Sequence, residues 1–184
     1  MPRVEQRRTL FKGPKFDFEE VTLARASGER LSRQMIRHPG AVVVVPVLEE
    51  AGERSRLVMI RNQRFTLGRE MWEFPAGTLE PPEPPQTCAA RELEEEAGYA
   101  AATVTPLGRF HTTPGMTDEL MHAFLARGLR HVGQRLMDDE AIRVEVVELR
   151  DALSMIDRAE LTDAKSMLAL WLAMRVEGLG GMTG

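Results

Sequence analysis

Apolar and polar positions divide the chain into short alternating runs, one unbroken apolar run and two helical stretches. Residues 16–23 alternate roughly apolar and polar, residues 26–30 (ASGER) read as a turn, and residues 31–37 alternate again, so the first 40 residues predict short strands. His38-Pro39-Gly40 breaks the pattern. The run AVVVVPVL (41–48) predicts a buried strand. A polar turn (49–55) joins it to RLVMIRNQ (56–63), so the two predict a hairpin. Residues 84–97 predict a helix: Pro84 and Pro85 suit its start, and Gly98 suits the left-handed residue that stops it. Segments around 103–111, 119–127 and 142–149 predict strands, 151–159 a short helix, and Thr162 or Asp163 a cap for a last helix running to Val176. Strands and helices mix without a regular βαβ rhythm, which predicts an α+β fold.

Composition narrows the class. At 184 residues, one domain with a small appendage is expected. A hydrophobic share of 43% and a charged share of 28% are those of an ordinary globular protein. The net charge of −4 argues against nucleic acid as a partner. The single cysteine, Cys88, allows no intrachain disulfide. The longest apolar stretches, 41–48 and 167–174, fall far short of the ~20 residues of a membrane span. No apolar signal core follows the charged N-terminus. The expectation is a soluble, cytoplasmic protein that engages no membrane.

The most informative stretch is GTLEPPEPPQTCAARELEEEAGY (77–99). On a helix, Glu92, Glu95 and Glu96 fall within one sector. The carboxylates of Glu92, Glu94, Glu95 and Glu96 repel one another, and Arg91 alone does not offset them. Such a run is either a solvated helix face or a site for a hard divalent cation, whose ligands are oxygens. Divalent ions that also hold substrate phosphates are what diphosphate cleavage requires.

The full spacing reads Gly77, five residues, Glu83, seven residues, Arg91-Glu92-Leu93, one residue, Glu95-Glu96, one residue, Gly98-Tyr99. Every fixed position of the Nudix box is filled, and the chain resembles the Nudix hydrolases from roughly Arg33 to Trp171. The resemblance implies an α/β/α sandwich with a mixed sheet, preceded by a small N-terminal β segment. It implies Glu92 and Glu96 as metal ligands, with the main-chain carbonyl of Ala76 as another. Glu83 becomes a metal-linked acid or one behind the ligands, Glu95 an assistant to metal binding, and Arg91 the group that orients the carboxylates. The metal implied is Mg²⁺, with Mn²⁺ possible. Leu93 is expected in the core and Glu94 in solvent.

Flanking residues point to a branch. Pro114 lies sixteen residues beyond Gly98, and Pro114-Gly115 in HTTPGMTDELMHAFLA (111–126) resembles a loop of the ADP-ribose pyrophosphatases. Residues 37–45 and 61–77 resemble the same branch and its relatives acting on other nucleoside diphosphate sugars. The acidic stretch 137–149 resembles a loop whose glutamate activates water or binds a further metal. Glu140 matches its last acid, whereas Asp138 stands where a glutamate is more usual; Glu140 is the expected base, with Asp138 and Glu119 as reserves. The bland reading of that stretch is a solvated turn before a strand. Arg61, Arg64 and Arg69 are either surface arginines or a bidentate grip on diphosphate. Phe16 and Phe18 lie in the segment that, in this branch, often crosses between subunits and stacks on adenine; core packing is the other role. Trp72 is expected under the metal loop, and His111, His122 and Cys88 are read as structural.

The resemblance thus implies metal-dependent hydrolysis of a nucleoside diphosphate sugar, ADP-ribose first, giving AMP and ribose 5-phosphate. GDP-mannose, ADP-glucose or a dinucleoside polyphosphate are alternative substrates, and a non-catalytic ADP-ribose-binding module is a second alternative. A homodimer is implied, with residues 1–39 as a dimerisation segment, 40–177 as the catalytic domain and 178–184 as a flexible tail.

Overall fold

The computed structural model describes residues 2–49, 55–137 and 140–176. Asp138 and the tail 178–184 lie outside the described residues. Among the described residues, ten strands and three helices follow in the order β1 (Arg3–Lys12), β2 (Asp17–Ala24), β3 (Arg30–Arg37), β4 (Ala41–Leu48), β5 (Arg56–Arg64), β6 (Arg69–Glu73), β7 (Ala76–Thr78), α1 (Pro85–Ala97), β8 (Tyr99–His111), β9 (Leu120–His131), β10 (Ile142–Glu148), α2 (Leu149–Asp157) and α3 (Ala164–Met174).

The main sheet has the order β10-β5-β4-β9-β8, with β6 paired to β5 and β7 to β4. β4 and β9 run parallel, while β4–β5, β4–β7, β5–β6, β5–β10 and β8–β9 are antiparallel. The apolar run of β4 is continuous because the strand is covered on both faces. Val42 and Val44 pack with Cys88, Ala89, Leu93 and Ala97 of α1. Val43, Val45 and Val47 pack with Leu149, Ala152 and Met155 of α2 and with Ala169, Leu170 and Ala173 of α3. β5 divides the same way, Val58 and Ile60 to one side, Leu57 and Met59 to the other. The result is the α/β/α sandwich with a mixed sheet that the resemblance implied.

α1 starts at Pro84 and stops at Gly98, whose φ of 73° is left-handed and whose N–H returns to the carbonyls of Glu94 and Leu93. A Cβ on Gly98 would meet the Gly133 and Gln134 backbone at 2.9 Å, so this stop needs glycine for space as well as for φ. α3 is capped by Asp163, whose carboxylate accepts from Ser166 N.

β1, β2 and β3 form a separate antiparallel sheet. β1 is exposed along its whole length. Cross-strand pairs Arg7–Glu19, Arg8–Glu20 and Arg30–Glu5 decorate this sheet. Residues 1–39 carry nine Lys and Arg against five Asp and Glu, a net +4, so the remaining chain carries −8.

Candidate active site

Two neighbouring structures build the site: helix α1 and the short strand β7. Glu92 and Glu96 lie one turn apart on α1 and are both buried. Glu96 Oε2 accepts the main-chain N–H of Ala76 at 2.8 Å. The Glu92 carboxylate occupies the place where a side chain on residue 77 would stand, so only glycine fits there. Residues 73–77 are held at each step: Phe74 N donates to Ser166 Oγ at 2.8 Å, Val44 N donates to Pro75 O at 2.9 Å, and Gly77 pairs with Val42.

Arg91 is the local counterion. Its guanidinium reaches Glu83 and Glu95 at 2.9 Å each and Glu92 at 2.8 Å. Glu83 also accepts the Glu80 N–H at 2.8 Å. The hydrogen bond from Arg91 leads the causes that hold the Glu83 pKa below the ordinary carboxylate value. Glu92 and Glu96 behave oppositely. Desolvation pushes Glu92 up to about 6 and Glu96 up to about 8, and the charge of Glu140 adds to both. These are acids whose ionised forms lack a sufficient counterion, which is the condition a bound divalent cation relieves. Among the described residues no three His, Cys, Asp or Glu side chains close into a cage around one point. Two carboxylates beside a main-chain strand instead leave coordination positions for phosphate oxygens, as hard cations in phosphate sites require.

A cleft of ≈1540 Å³ opens over this pair. It exceeds the few hundred to ~1,000 Å³ usual for a small-molecule site and has room for a two-part ligand. Ala76, Gly77, Arg91, Glu92, Glu96, Glu140, Glu119, Arg64 and Phe16 all line it. Glu83, Glu95, Arg61, Arg69, Pro114 and Gly115 do not. Glu83 and Glu95 act on the cleft through Arg91. Arg61 pairs with Glu70 at 3.1 Å and lies over the Trp72 ring at 4.7 Å, and Arg69 is exposed at the start of β6. Trp72 and Ala76 are both half-buried and pack against the same core cluster. Glu140 accepts Met137 N at 2.9 Å and lines the cleft.

Pro114 and Gly115 form the exposed tip of the loop between β8 and β9, and the two ends of that loop face the cleft. Asp118 straps it to the end of β3, accepting from His38 N at 2.9 Å and from Arg37 at 2.5 Å. Glu119 accepts from Thr112 Oγ1 and lies 3.6 Å from His38 Nε2. His38 Nδ1 accepts the Gly40 N–H at 3.1 Å, so the ring proton sits on Nε2, facing Glu119. Phe16 stacks on His38 with centroids 6.4 Å apart. His38 had read only as part of a chain break; its role comes from contacts 22 and 81 residues away in sequence. Cys88, buried on α1, has its thiol pushed up to about 12 chiefly by desolvation, which makes it inert packing.

A helix bearing Arg91-Glu92 and Glu95-Glu96, stopped by glycine and folded onto a Gly77 strand, defines a class, and the match with the NUDIX domain over residues 37–170 agrees: the chain belongs to the Nudix family and is a Nudix hydrolase. It is 37% identical over 172 residues to an ADP-ribose pyrophosphatase of Bacillus subtilis, covering 92% of this chain and 91% of that one. It is 34% identical over 167 residues to a methanol dehydrogenase activator of Bacillus methanolicus, covering 90% and 87%. The crystal structure of an ADP compounds hydrolase superposes with a TM-score of 0.81 at 22% identity, covering 97% of this chain and 96% of the other, and so shares the fold.

Proposed function

We propose that this chain hydrolyses ADP-ribose to AMP and ribose 5-phosphate, using Mg²⁺ or Mn²⁺ held by Glu92, Glu96 and the carbonyl of Ala76. The observation that carries the proposal is the pair of buried, under-compensated carboxylates opening onto a cleft whose ≈1540 Å³ leaves room for a dinucleotide-sized ligand. The likeness to the B. subtilis enzyme over nearly the whole of both chains supports the choice of ADP-ribose. A divalent cation held there by Glu92, Glu96 and the Ala76 carbonyl would supply charge neutralisation for the diphosphate and a more acidic water.

The chain's own groups do the rest. Arg91 holds Glu92 and Glu95 in place. Arg64 at the cleft wall meets the diphosphate. Glu140 takes the proton of the attacking water, and the broken bond is the one between phosphorus and the bridging oxygen, which leaves with AMP or with ribose 5-phosphate. Phe16, stacked on His38, offers its other face to the adenine. Glu119 orients the loop 112–119, and Asp138 and Glu119 are the reserves for the base.

The active form is a homodimer built through residues 1–39, acting in the cytoplasm. Val4, Leu10 and Phe11 are exposed on β1, and the basic N-terminal sheet complements the acidic remainder of a second copy. The one cysteine, unpaired and buried, suits a reducing compartment. A single monomeric species in sedimentation at assay concentration, with full activity, contradicts the dimer.

The test of substrate is AMP release from ADP-ribose beside GDP-mannose, ADP-glucose and diadenosine polyphosphates, in Mg²⁺ and in EDTA. Mg²⁺-dependent turnover of ADP-ribose above the others is expected. Preference for another sugar nucleotide overturns the substrate and keeps the chemistry; tight binding with no turnover turns the reading to a binding module.

A further inference from the structure

An ionic knot at the wall of the cleft joins β5, β6 and the start of α3. Its centre is Glu73, whose side chain is 1% exposed. Arg64 Nε and Nη2 meet its two oxygens at 2.6 and 2.5 Å. Lys165 Nζ meets Oε2 at 2.5 Å and reaches Asp163 Oδ2 at 2.9 Å. Asp163 also accepts from Ser166 Oγ, the hydroxyl that receives Phe74 N. Two cations and two carboxylates make the knot neutral, the condition under which buried charges are tolerated. Arg64, Lys165 and Asp163 all line the cleft. Glu73 occupies the Nε/Nη2 edge of Arg64, so the Nη1 amino group is the part left to meet a ligand.

We propose that Lys165 is a positioning residue: acting through Glu73 and Asp163, it keeps the guanidinium of Arg64 turned to the cleft and thereby sets affinity for the diphosphate. This rests on the reading of Arg64 as a diphosphate-binding residue. Asp163 already acts electrostatically on Arg64. Lys165 satisfies Asp163 and shares Glu73, so Arg64 has one carboxylate edge to serve. Remove the ammonium and two carboxylates, Glu73 buried and Asp163 half-buried, have one cation between them. Arg64 is then drawn back toward Asp163 and away from the ligand.

The experiment is a set of variants: Lys165→Met, Lys165→Arg, Arg64→Gln, Lys165→Met with Arg64→Gln, and Lys165→Met with Asp163→Asn. Affinity is read as KM for the nucleoside diphosphate sugar that the wild-type protein turns over best, or as a calorimetric Kd for the one it binds best if none is turned over. A failure of the ADP-ribose reading is thus seen in the wild type and leaves the set readable. Lys165→Met is expected to raise KM about tenfold while kcat moves less than about threefold, the mark of lost ground-state binding. Lys165→Arg restores most of it. In the Arg64→Gln background Lys165→Met adds less than about twofold, because the two act in series. Adding Asp163→Asn to Lys165→Met brings KM back toward wild type by removing the surplus carboxylate while keeping a capping side chain. A purely structural Lys165 lowers the thermal midpoint with KM unchanged, or gives the same factor with and without Arg64; either result overturns the proposal. If Lys165→Met does not fold, Lys165→Gln takes its place, and the Asp163→Asn rescue decides alone.

Discussion

The main-chain N–H of Ala76 donates to Glu96 Oε2 at 2.8 Å, so the strand expected to offer a carbonyl to the metal and the carboxylate expected to bind it are one mechanical unit. Glu92, one turn earlier, packs its carboxylate against Gly77, in the space a side chain there would need. The box spacing is therefore a description of contact: a glycine strand and a glutamate helix that touch through a carboxylate at each end.

Gly77→Ala places a methyl group on the Glu92 carboxylate. Either that carboxylate leaves its position or β7 moves off β4. Overpacking of this kind costs about 1–3 kcal/mol. The expected outcome is a fall in kcat of at least about tenfold, because misplacement by ~1 Å at a reacting centre costs about a hundredfold. Steady-state kinetics and thermal melting in Mg²⁺ check it.

Glu92 and Glu96 bind protons more tightly folded, at about 6 and about 8, than in the unfolded chain, where the ordinary value is 4.5. Their contribution to metal-free stability is full below 4.5 and is lost as pH rises through 6 and then 8. Glu73 and Glu83, held low, change stability only below the ordinary carboxylate value, outside this window. His122, lowered chiefly by burial, opposes the trend around 6.5. The thermal midpoint in EDTA is expected to fall from about pH 5 to about pH 8 and to level off above that. Mg²⁺ competes with those protons, so its stabilising effect grows over the same range, reaching about 2.7 kcal/mol at a hundredfold excess over Kd. Melting curves with and without Mg²⁺ across this range test it, and an Mg²⁺ effect that shrinks with pH goes against it.

Ser166→Ala leaves the Phe74 N–H buried without its acceptor. Such an orphaned donor costs about 1–3 kcal/mol. Denaturant unfolding of the variant should show that loss with an unchanged slope, and kcat should fall as well, because Phe74 precedes the strand that carries Ala76 and Gly77.

Glu140→Gln keeps the shape of the side chain and removes its basicity. A positioned base is worth about 10²- to 10⁴-fold. The expected outcome is a loss of kcat in that range with KM little changed, read from AMP release in saturating Mg²⁺. A smaller loss shifts the role of base to Asp138 or Glu119.

Local sequence pattern carried the elements that are long and patterned. β4 was readable because burial on both faces demands an unbroken apolar run, and α1 because Pro84, Pro85 and Gly98 mark its ends. The last helix ends at Met174 rather than Val176, and Asp163 rather than Thr162 caps it. β1 was not delineated, since its ten residues are exposed and mix Arg with Val4, Leu10 and Phe11 without alternation. β6 and β7 are five and three residues long, and only their partners β5 and β4 make them strands. Of the site, the box was legible because its residues sit within 23 positions. The Glu73–Lys165 and His38–Glu119 pairs were not, because each joins residues about 80 to 90 positions apart with no pattern in between.

The most direct measurement is the turnover of ADP-ribose by Glu96→Gln beside wild type, at equal concentration in saturating Mg²⁺, with folding checked by circular dichroism and melting. Loss of one ligand carboxylate is expected to remove at least about 10³-fold of kcat, a few kcal/mol of transition-state stabilisation, while the fold remains. A folded Glu96→Gln protein that still turns ADP-ribose over at near the wild-type rate contradicts the assignment of the metal site, and with it the mechanism.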